Sequence, residues 1–378
     1  IVLPMFEHIE VFQRLGDGTD VVSKEMYDFE DKGGRNLALR PEQTASIVRS
    51  YAEHRPSLPW KVWYAGPNFR YERAQKGRFR QFDQVGIEAL GTEDAYLDVE
   101  VIAIAWRFYE SLGLKQVDLL LNSVGTLQDR IRYIEALSEY FEKQKDGLST
   151  EAQETLISNP LRVLDSKRDE DIKVVSEAPS ILEYLSDEAK NHFNKVQEGL
   201  NKLKIPYSVK PNLVRGLDYY VQTTFEFTTK SIDAAQDAIG GGGRYDGLAA
   251  EMGAPATPGV GFALGLDRTL MACEAEKTFI EPGQFLQVYV VDTTGGENSL
   301  VITDELRQKG FKVDRSFGNR SMKAQMKAAD KSGAKIALII GEDEVEKGVV
   351  TIRDLRGEEG QEEIASDSVI ANLEKRLG

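Results

Sequence analysis

The sequence predicts an α+β chain in which a sheet-and-helix domain is interrupted by a helical insertion and followed by a small α/β domain. Three observations carry this. From Pro4 to about Leu121, short β-rich runs mix with one long helical stretch. Between Gly125 and Leu203 the apolar period is helical. Beyond Glu276, strand and helix patterns alternate. The length, 378 residues, independently predicts two to three domains at roughly 150 residues each.

Val62 to Tyr64, Gln84 to Leu90 and Val117 to Leu121 are the strand runs of the first region, and Asp98 to Leu112 is its helix. In the insertion, Leu127, Ile131, Ile134, Leu137 and Phe141 form one helical stripe. Ala189, Phe193, Val196, Leu200 and Leu203 form another, after Ser186 as its N-cap. Strand-like segments and glycine clusters return from Val214 to Leu270, so the first domain resumes. Glu276 to Gln284, with Pro282-Gly283, reads as a linker. After it come strands at Gln287 to Val291, Lys312 to Arg315, Ile336 to Gly341 and Val349 to Asp354. Helices ending near Gly310 and spanning Ser321 to Lys331 alternate with them, which predicts a largely parallel sheet. The expected organisation is therefore 1–122, a helical insertion over 123–203, resumption over 204–276 and a last domain over 284–378.

Lys and Arg number 47 against 62 Asp and Glu, a formal net charge of −15. A broadly acidic surface weighs against indiscriminate nucleic-acid binding but leaves room for a basic face. The single cysteine, Cys273, excludes an intrachain disulfide framework and a Cys₄ or Cys₂His₂ zinc site, and it suits a reducing cytoplasm. It reads as a buried thiol, and His192 as a surface or boundary residue. Apolar runs such as Val101 to Trp106 fall far short of the roughly 18 residues of a membrane span, so the chain is expected to be soluble, cytoplasmic and free of membrane contact. It opens on Ile-Val-Leu-Pro without Met, which suggests a missing N-terminus.

The densest signal runs from Gly66 to Gln84. Arg70, Arg73, Lys76, Arg78 and Arg80 face one acid, Glu72, within eleven residues. Flanking strand patterns make this a hairpin with a cationic loop, which either clamps a polyphosphate through arginine forks or is simply solvated. Gly240 to Gly247 lacks the Lys-Ser/Thr of a P-loop, and Gly259 to Gly265 has the wrong spacing for a dinucleotide fingerprint. Glycines there let backbone approach a ligand or mark a bulge. In the last domain, Arg315 to Lys335 carries six basic residues and one acid, Asp330. Lys323, Lys327 and Lys331 share one helix face while Met322, Met326 and Ala329 pack inward, giving either a solvated face or an RNA backbone contact.

Taken in order, these segments resemble the bacterial-type histidyl-tRNA synthetases, members of the class II aminoacyl-tRNA synthetases. The resemblance rests on Leu39 to Ala45 (LRPEQTA), the arginine hairpin Phe69 to Gln84 (motif 2), Leu213 to Tyr220 (LVRGLDYY), Gly241 to Leu248 (GGGRYDGL) and Gly261 to Arg268 (GFALGLDR, motif 3). It covers nearly the whole chain. It implies a class II antiparallel-sheet catalytic domain with a helical insertion, then a small α/β anticodon-binding domain. It also implies a two-step reaction: histidine and ATP, with Mg2+ carried on the ATP, give histidyl-adenylate, and the histidyl group then passes to tRNA(His).

Carried over residue by residue, Arg70 and Arg215 would hold the α-phosphate and the amino-acid carboxylate as the catalytic pair. Arg78 and Arg268 would grip the outer phosphates, Phe82 would stack on adenine and Glu72 would accept from its amino group. Glu88 and Tyr220 would read the imidazole. Glu42, Thr44 and Gln84 would take the α-amino group, while Tyr219 and Tyr245 line the histidine pocket. Gln75, Lys323 and Lys327 would touch tRNA, and the insertion its acceptor arm. No protein side chain is assigned to a metal.

The family carries several dozen more residues ahead of Ile1, including the motif 1 helix through which it dimerises, so the implied homodimer would form through that region. Asp83 stands where the family has His or Asn, and Asp267 replaces a common Glu. Two alternatives stand beside this reading: the non-catalytic regulatory subunit of ATP phosphoribosyltransferase, which resembles the catalytic core, and an RNA-binding or signalling protein on the same fold.

Overall fold

The chain divides into two units, Ile1–Phe279 and Ile280–Gly378, and the computed structural model describes residues 1–14, 21–164, 166, 168–213, 219–232, 237–279, 286–318, 320–357 and 360–377. In the first unit the strands are β1 (Phe6–His8), β2 (Tyr27–Glu30), β3 (Asn36–Leu39), β4 (Trp60–Phe69), β5 (Gln81–Leu90), β6 (Val117–Ser123), β7 (Ser208–Val209), β8 (Val221–Thr229), β9 (Ala238–Arg244) and β10 (Gly259–Gly265). Its helices are α1 (Ile9–Gln13), α2 (Thr44–His54), α3 (Ala95–Ser111), α4 (Leu127–Lys143), α5 (Thr150–Ser158), α6 (Pro160–Val163), α7 (Asp169–Ser176), α8 (Asp187–Lys202), α9 (Leu248–Glu251) and α10 (Leu266–Ala275).

The large sheet has the order β4-β5-β10-β9-β8-β6-β7. Every pairing in it is antiparallel except β6 with β7. This is the predicted α+β sheet. The arginine-rich segment is, as expected, the connection of a hairpin: β4 and β5 pair along their whole length, with Gly66 opposite Gln84 and Asn68 opposite Phe82. Helix α3 starts where the Asp94 side chain accepts from the Tyr96 amide at 3.0 Å, and its apolar side covers the sheet. Ile102, Ala105, Phe225 and Phe227 are fully buried in that core.

Helix α8 is capped by Ser186, whose hydroxyl accepts from Ala189 at 3.3 Å. It lays Phe193, Val196 and Leu200 into the same core as α3, whereas Leu203 is 44% exposed. Helix α4 begins with a reciprocal capping box between Thr126 and Asp129. Its buried stripe is Tyr133, Leu137 and Phe141, while Leu127 and Ile131 face solvent. The expected stripe therefore starts about two turns too early, because an apolar period shows a face without showing where the neighbouring helices begin. Cys273 is buried and free. The first part of the expected linker is structured: both Glu276 carboxylate oxygens accept backbone amides, from Lys115 at 2.8 Å and Gln116 at 3.3 Å. The rest of it, 280–284, lies outside the described residues.

The second unit runs β11 (Val288–Asp292), α11 (Glu297–Gln308), β12 (Val313–Arg315), α12 (Met322–Lys331), β13 (Ile336–Ile340), α13 (Glu342–Lys347), β14 (Val349–Asp354), β15 (Gln361–Ala365) and α14 (Val369–Leu377). The sheet order is β12-β11-β13-β14-β15. β11 is parallel to β12 and β13, but β14 is antiparallel to both of its neighbours. The sheet is thus mixed rather than largely parallel. The six-residue α13 is too short to carry the chain back across the sheet, so β14 returns antiparallel beside β13. Met322 is 38% exposed instead of packing inward, since it occupies the first position of α12 beyond the core that Met326 and Ala329 reach.

Candidate active site

The segment Arg40-Pro-Glu-Gln-Thr turns into α2, and its chemistry follows from helix geometry. The first amides of a helix have no partner within it. Glu42 supplies one, its two carboxylate oxygens accepting from Thr44 at 2.7 Å and Ala45 at 2.8 Å. Burial pushes the Glu42 carboxyl up, against those amide bonds, which hold it down. Thr44 then donates its hydroxyl to Glu88 Oε1 at 2.7 Å. Tyr245 donates to the other oxygen, Oε2.

Glu88 lies on β5 with only 1% of its surface exposed. Burial is the main cause of a pKa pushed up to about 8, opposed by the Tyr245 and Thr44 hydrogen bonds and helped by the nearby Glu42 charge. Glycines make the room: a Cβ on Gly261 would sit 1.8 Å from Glu88 Oε2, and one on Gly259 would sit 2.3 Å from the Tyr245 ring. The glycine clusters therefore accommodate the site's own side chains, in addition to the two uses the sequence suggested for them.

These groups form one end of a cleft of about 310 Å³. Glu42, Thr44, Gln84, Glu88, Tyr219, Tyr220 and Tyr245 line that end, and Arg70, Glu72, Arg78, Phe82 and Arg268 line the other. Gln84 is held by Asn68, which donates to its Oε1 at 2.8 Å. The Tyr219 ring lies 4.7 Å from that of Tyr220 and 5.8 Å from that of Tyr245, measured between centroids.

At the cationic end Arg70 donates to Pro41 O at 3.0 Å and sits 5.2 Å from the Phe82 ring centroid. Arg78 pairs with Glu72 at 2.6 Å. Arg268, at the start of α10, donates to Gly77 O at 2.7 Å and Ala238 O at 2.8 Å, tying the hairpin loop to the sheet. Burial lowers the Arg268 pKa, and the charges of Arg78 and Arg70 lower it further. Glu72 and Glu226 offset part of this positive charge, and the crowded guanidinium groups have the chemistry to receive an anion. Asp267 Oδ2 accepts from the Asp83 amide at 3.1 Å, so the two positions that depart from the family pattern meet across β5 and α10.

Arg215 lies outside the described residues. Gln75 is exposed in the hairpin loop and is not part of the cleft. Lys323 and Lys327 are exposed on α12 in the second unit.

Sequence reasoning missed Tyr64, 1% exposed and lining the cleft, although its place in the β4 alternation marks it as inward-facing. It missed the buried Arg40, whose guanidinium donates to Leu3, Pro4 and Pro67 carbonyls. It also missed the partners of His192. This residue takes the boundary place of the two expected for it, with its side chain 13% exposed, and its Nε2 lies 2.8 Å from Asp98 Oδ2, in a cluster with Arg244. That cluster joins helix α3, helix α8 and strand β9, segments far apart in sequence, so no local pattern announces it.

A family model described as "Histidyl-tRNA synthetase" matches residues 1–269, and one described as "Anticodon binding domain" matches residues 287–376. The histidine–tRNA ligase of Geobacillus sp. (strain WCH70) is 46% identical over 382 residues, covering 99% of this chain and 90% of that protein. That of Corynebacterium kroppenstedtii is 48% identical over 385 residues, covering 100% and 89%. Among solved structures, apo S. aureus histidyl-tRNA synthetase superposes with a TM-score of 0.81 at 36% identity, covering 99% of this chain and 90% of that one.

Proposed function

The chain belongs to the histidyl-tRNA synthetase family, and from that premise we propose that it activates histidine with ATP and transfers the histidyl group to tRNA(His). One observation carries the reading: a single cleft joins a buried carboxyl flanked by a threonine and a tyrosine hydroxyl to a cluster of three arginines. A neutral imidazole has one donor and one acceptor nitrogen, so Glu88 and Tyr220 satisfy both, and a side chain lacking either group leaves a buried polar atom unpaired. Glu42, Thr44 and Gln84 face the α-amino group, and Tyr219 and Tyr245 wall the ring.

In the first step the histidine carboxylate oxygen forms a bond to the α-phosphorus as the bond to pyrophosphate breaks. No proton moves, so the work is alignment and charge stabilisation. Arg70, together with Arg215, holds the α-phosphate and the carboxylate. Arg78 and Arg268 hold the outer phosphates, Phe82 stacks on adenine and Glu72 accepts from its amino group. The Arg78–Glu72 pair shares its charges with the incoming nucleotide.

Among the described residues no group of three or more His, Cys, Asp or Glu could hold a metal. One carboxylate lining the cleft, Asp267, fits a Mg2+ that arrives on the triphosphate and keeps most of its water. Asp267 would be its protein contact, and it would supply charge neutralisation.

In the second step Gln75 and the insertion contact the acceptor end, and Lys323 and Lys327 the RNA backbone of the anticodon arm. A homodimer and a cytoplasmic location belong to the same proposal. Exposed Met5, Phe6, Phe29 and Trp63 support an association surface, which sedimentation velocity tests. Among the described residues no helix is long and apolar enough to cross a membrane. A non-catalytic role has less support, because the cleft keeps Arg70, Arg78 and Arg268 and the second unit matches the anticodon-binding model.

Histidine-dependent exchange of labelled pyrophosphate into ATP tests the reading. Exchange with histidine alone among the amino acids is expected, and exchange without an amino acid, or with another one, overturns it. Replacing Lys323 and Lys327 by Glu is expected to raise the KM for tRNA about tenfold, and unchanged tRNA kinetics would reject that contact.

A further inference from the structure

We infer that Phe317 is a stacking platform for one nucleobase of a single-stranded RNA loop, an inference that rests on the anticodon-binding reading of the second unit. Phe317 follows β12, whose last residue is Arg315. Its side chain is 61% exposed. The Arg315 guanidinium lies over the ring, 4.6 Å from its centroid. That guanidinium is itself fixed, donating to Gly296 O and Ser299 Oγ at 3.3 Å each. One face of the ring is thus backed by a held cation, while more than half the side chain meets solvent.

The place in the fold matters as much as the ring. β11 lies between β12 and β13 and is parallel to both. The chain leaves β11 for one side and then crosses to the other, so the carboxyl ends of these strands open at a topological switch point, where α/β sheets bind ligands. Phe317 stands at that end.

The backbone there is stitched down by buried groups. Asp292 accepts from Thr294 and Ser299 amides at 2.6 and 2.9 Å. Gln325, fully buried in α12, donates to Asp292 O at 2.7 Å and Arg320 O at 2.8 Å. Ser316 N donates to Val290 O at 3.0 Å. A solvent-facing phenyl on a rigid mount loses little entropy when a flat partner covers it.

Charge selects the partner. Between Arg315 and Ala329 the chain carries Arg320, Lys323 and Lys327 and no acid. A cation-backed ring beside free-standing cations matches the alternation of base and phosphate in unpaired RNA, where stacking tolerates any base and phosphates pair with Lys and Arg.

The test uses the full chain and an unmodified tRNA(His) transcript, with Kd from filter binding. Phe317→Ala is expected to weaken binding roughly 10- to 100-fold, and Phe317→Trp to restore it within about threefold. Thermal melts of both variants should match the parent, because the ring is exposed. The slope of log Kd against log salt should stay unchanged in Phe317→Ala and fall in Lys323→Glu, which separates stacking from phosphate contact.

Transcripts with an abasic site at each anticodon-loop position locate the base. One of them should bind the parent as weakly as Phe317→Ala binds the intact transcript, and should lose nothing further against that variant. Binding by Phe317→Ala within twofold of the parent, or additive losses at every abasic position, overturns the platform. Loss of histidine-dependent exchange in the parent chain would instead overturn the functional reading, so the two failures are distinguishable.

Discussion

Asp98 and Glu88 are both buried carboxyls, 0% and 1% exposed, yet they are opposite kinds of site. Their partners come from adjacent residues of one segment, Arg244 at the end of β9 and Tyr245 just after it, which turn to opposite sides as strand residues do. Arg244 gives Asp98 a buried cation, and His192 adds a hydrogen bond at 2.8 Å. Burial raises the Asp98 pKa, but the His192 bond and the charge and hydrogen bonds of Arg244 outweigh it and hold it below the ordinary range. Tyr245 offers Glu88 only a neutral hydroxyl, so burial wins and the pKa rises to about 8. A buried carboxyl with its own cation keeps its charge and is structural, whereas one given hydroxyls alone holds its proton up to a higher pH, the perturbation expected of a carboxyl in a binding cleft.

The comparison breaks most severely if Asp98 loses its cation. Arg244→Met is expected to cost about 3–5 kcal/mol, because an uncompensated charge stays buried. Urea denaturation should show this, with part of the loss recovered when Asp98→Asn is added. A cost below about 1 kcal/mol would mean that Asp98 does not keep its charge in this way.

The second contrast is in pH. Glu88 has a folded pKa above its ordinary 4.5, so between 4.5 and about 8 the folded state binds more protons than the unfolded one. Its contribution is present below 4.5 and is lost as pH rises through 8, with a slope of at most about 1.4 kcal/mol per pH unit. Asp98 behaves in the opposite sense: its contribution is present above the ordinary aspartate pKa and is lost as pH falls through its lowered value. Glu88→Gln should therefore flatten the decline of stability between pH 5 and 8 in thermal melts and leave the acid limb unchanged. A decline that persists in the variant would assign it to other groups.

His192→Ala is the smallest change, since Arg244 still neutralises Asp98. A loss of about 1 kcal/mol, or roughly 2–4 °C in melting temperature, is expected. A loss as large as that of Arg244→Met would make His192 an equal partner in the cluster.

The same contrast explains what was legible beforehand. Glu88, Thr44, Arg70 and Arg268 sit in short segments that resemble the family's motifs, so they could be carried over from a linear string, and the cleft does bring them together. The first sheet and the arginine hairpin were legible too, because alternation and turn position are local. Asp98, His192 and Arg244 were not, since their relation exists only after α8 packs on α3 and both meet β9. The antiparallel return of β14 was missed for a similar reason: strand direction depends on the length of a connection whose helix content local pattern left open. Leu127 and Met322 show the limit of periodicity, which finds a helix face but not the extent of the neighbour that covers it.

The most direct test of Glu88 as the ligand-reading carboxyl is pyrophosphate exchange by Glu88→Gln against the parent chain, with histidine and ATP varied separately. A buried hydrogen-bonding partner left unsatisfied costs about 1–3 kcal/mol, so the KM for histidine should rise roughly 10- to 100-fold while that for ATP changes less than about threefold. Equal losses for histidine and ATP would contradict the account.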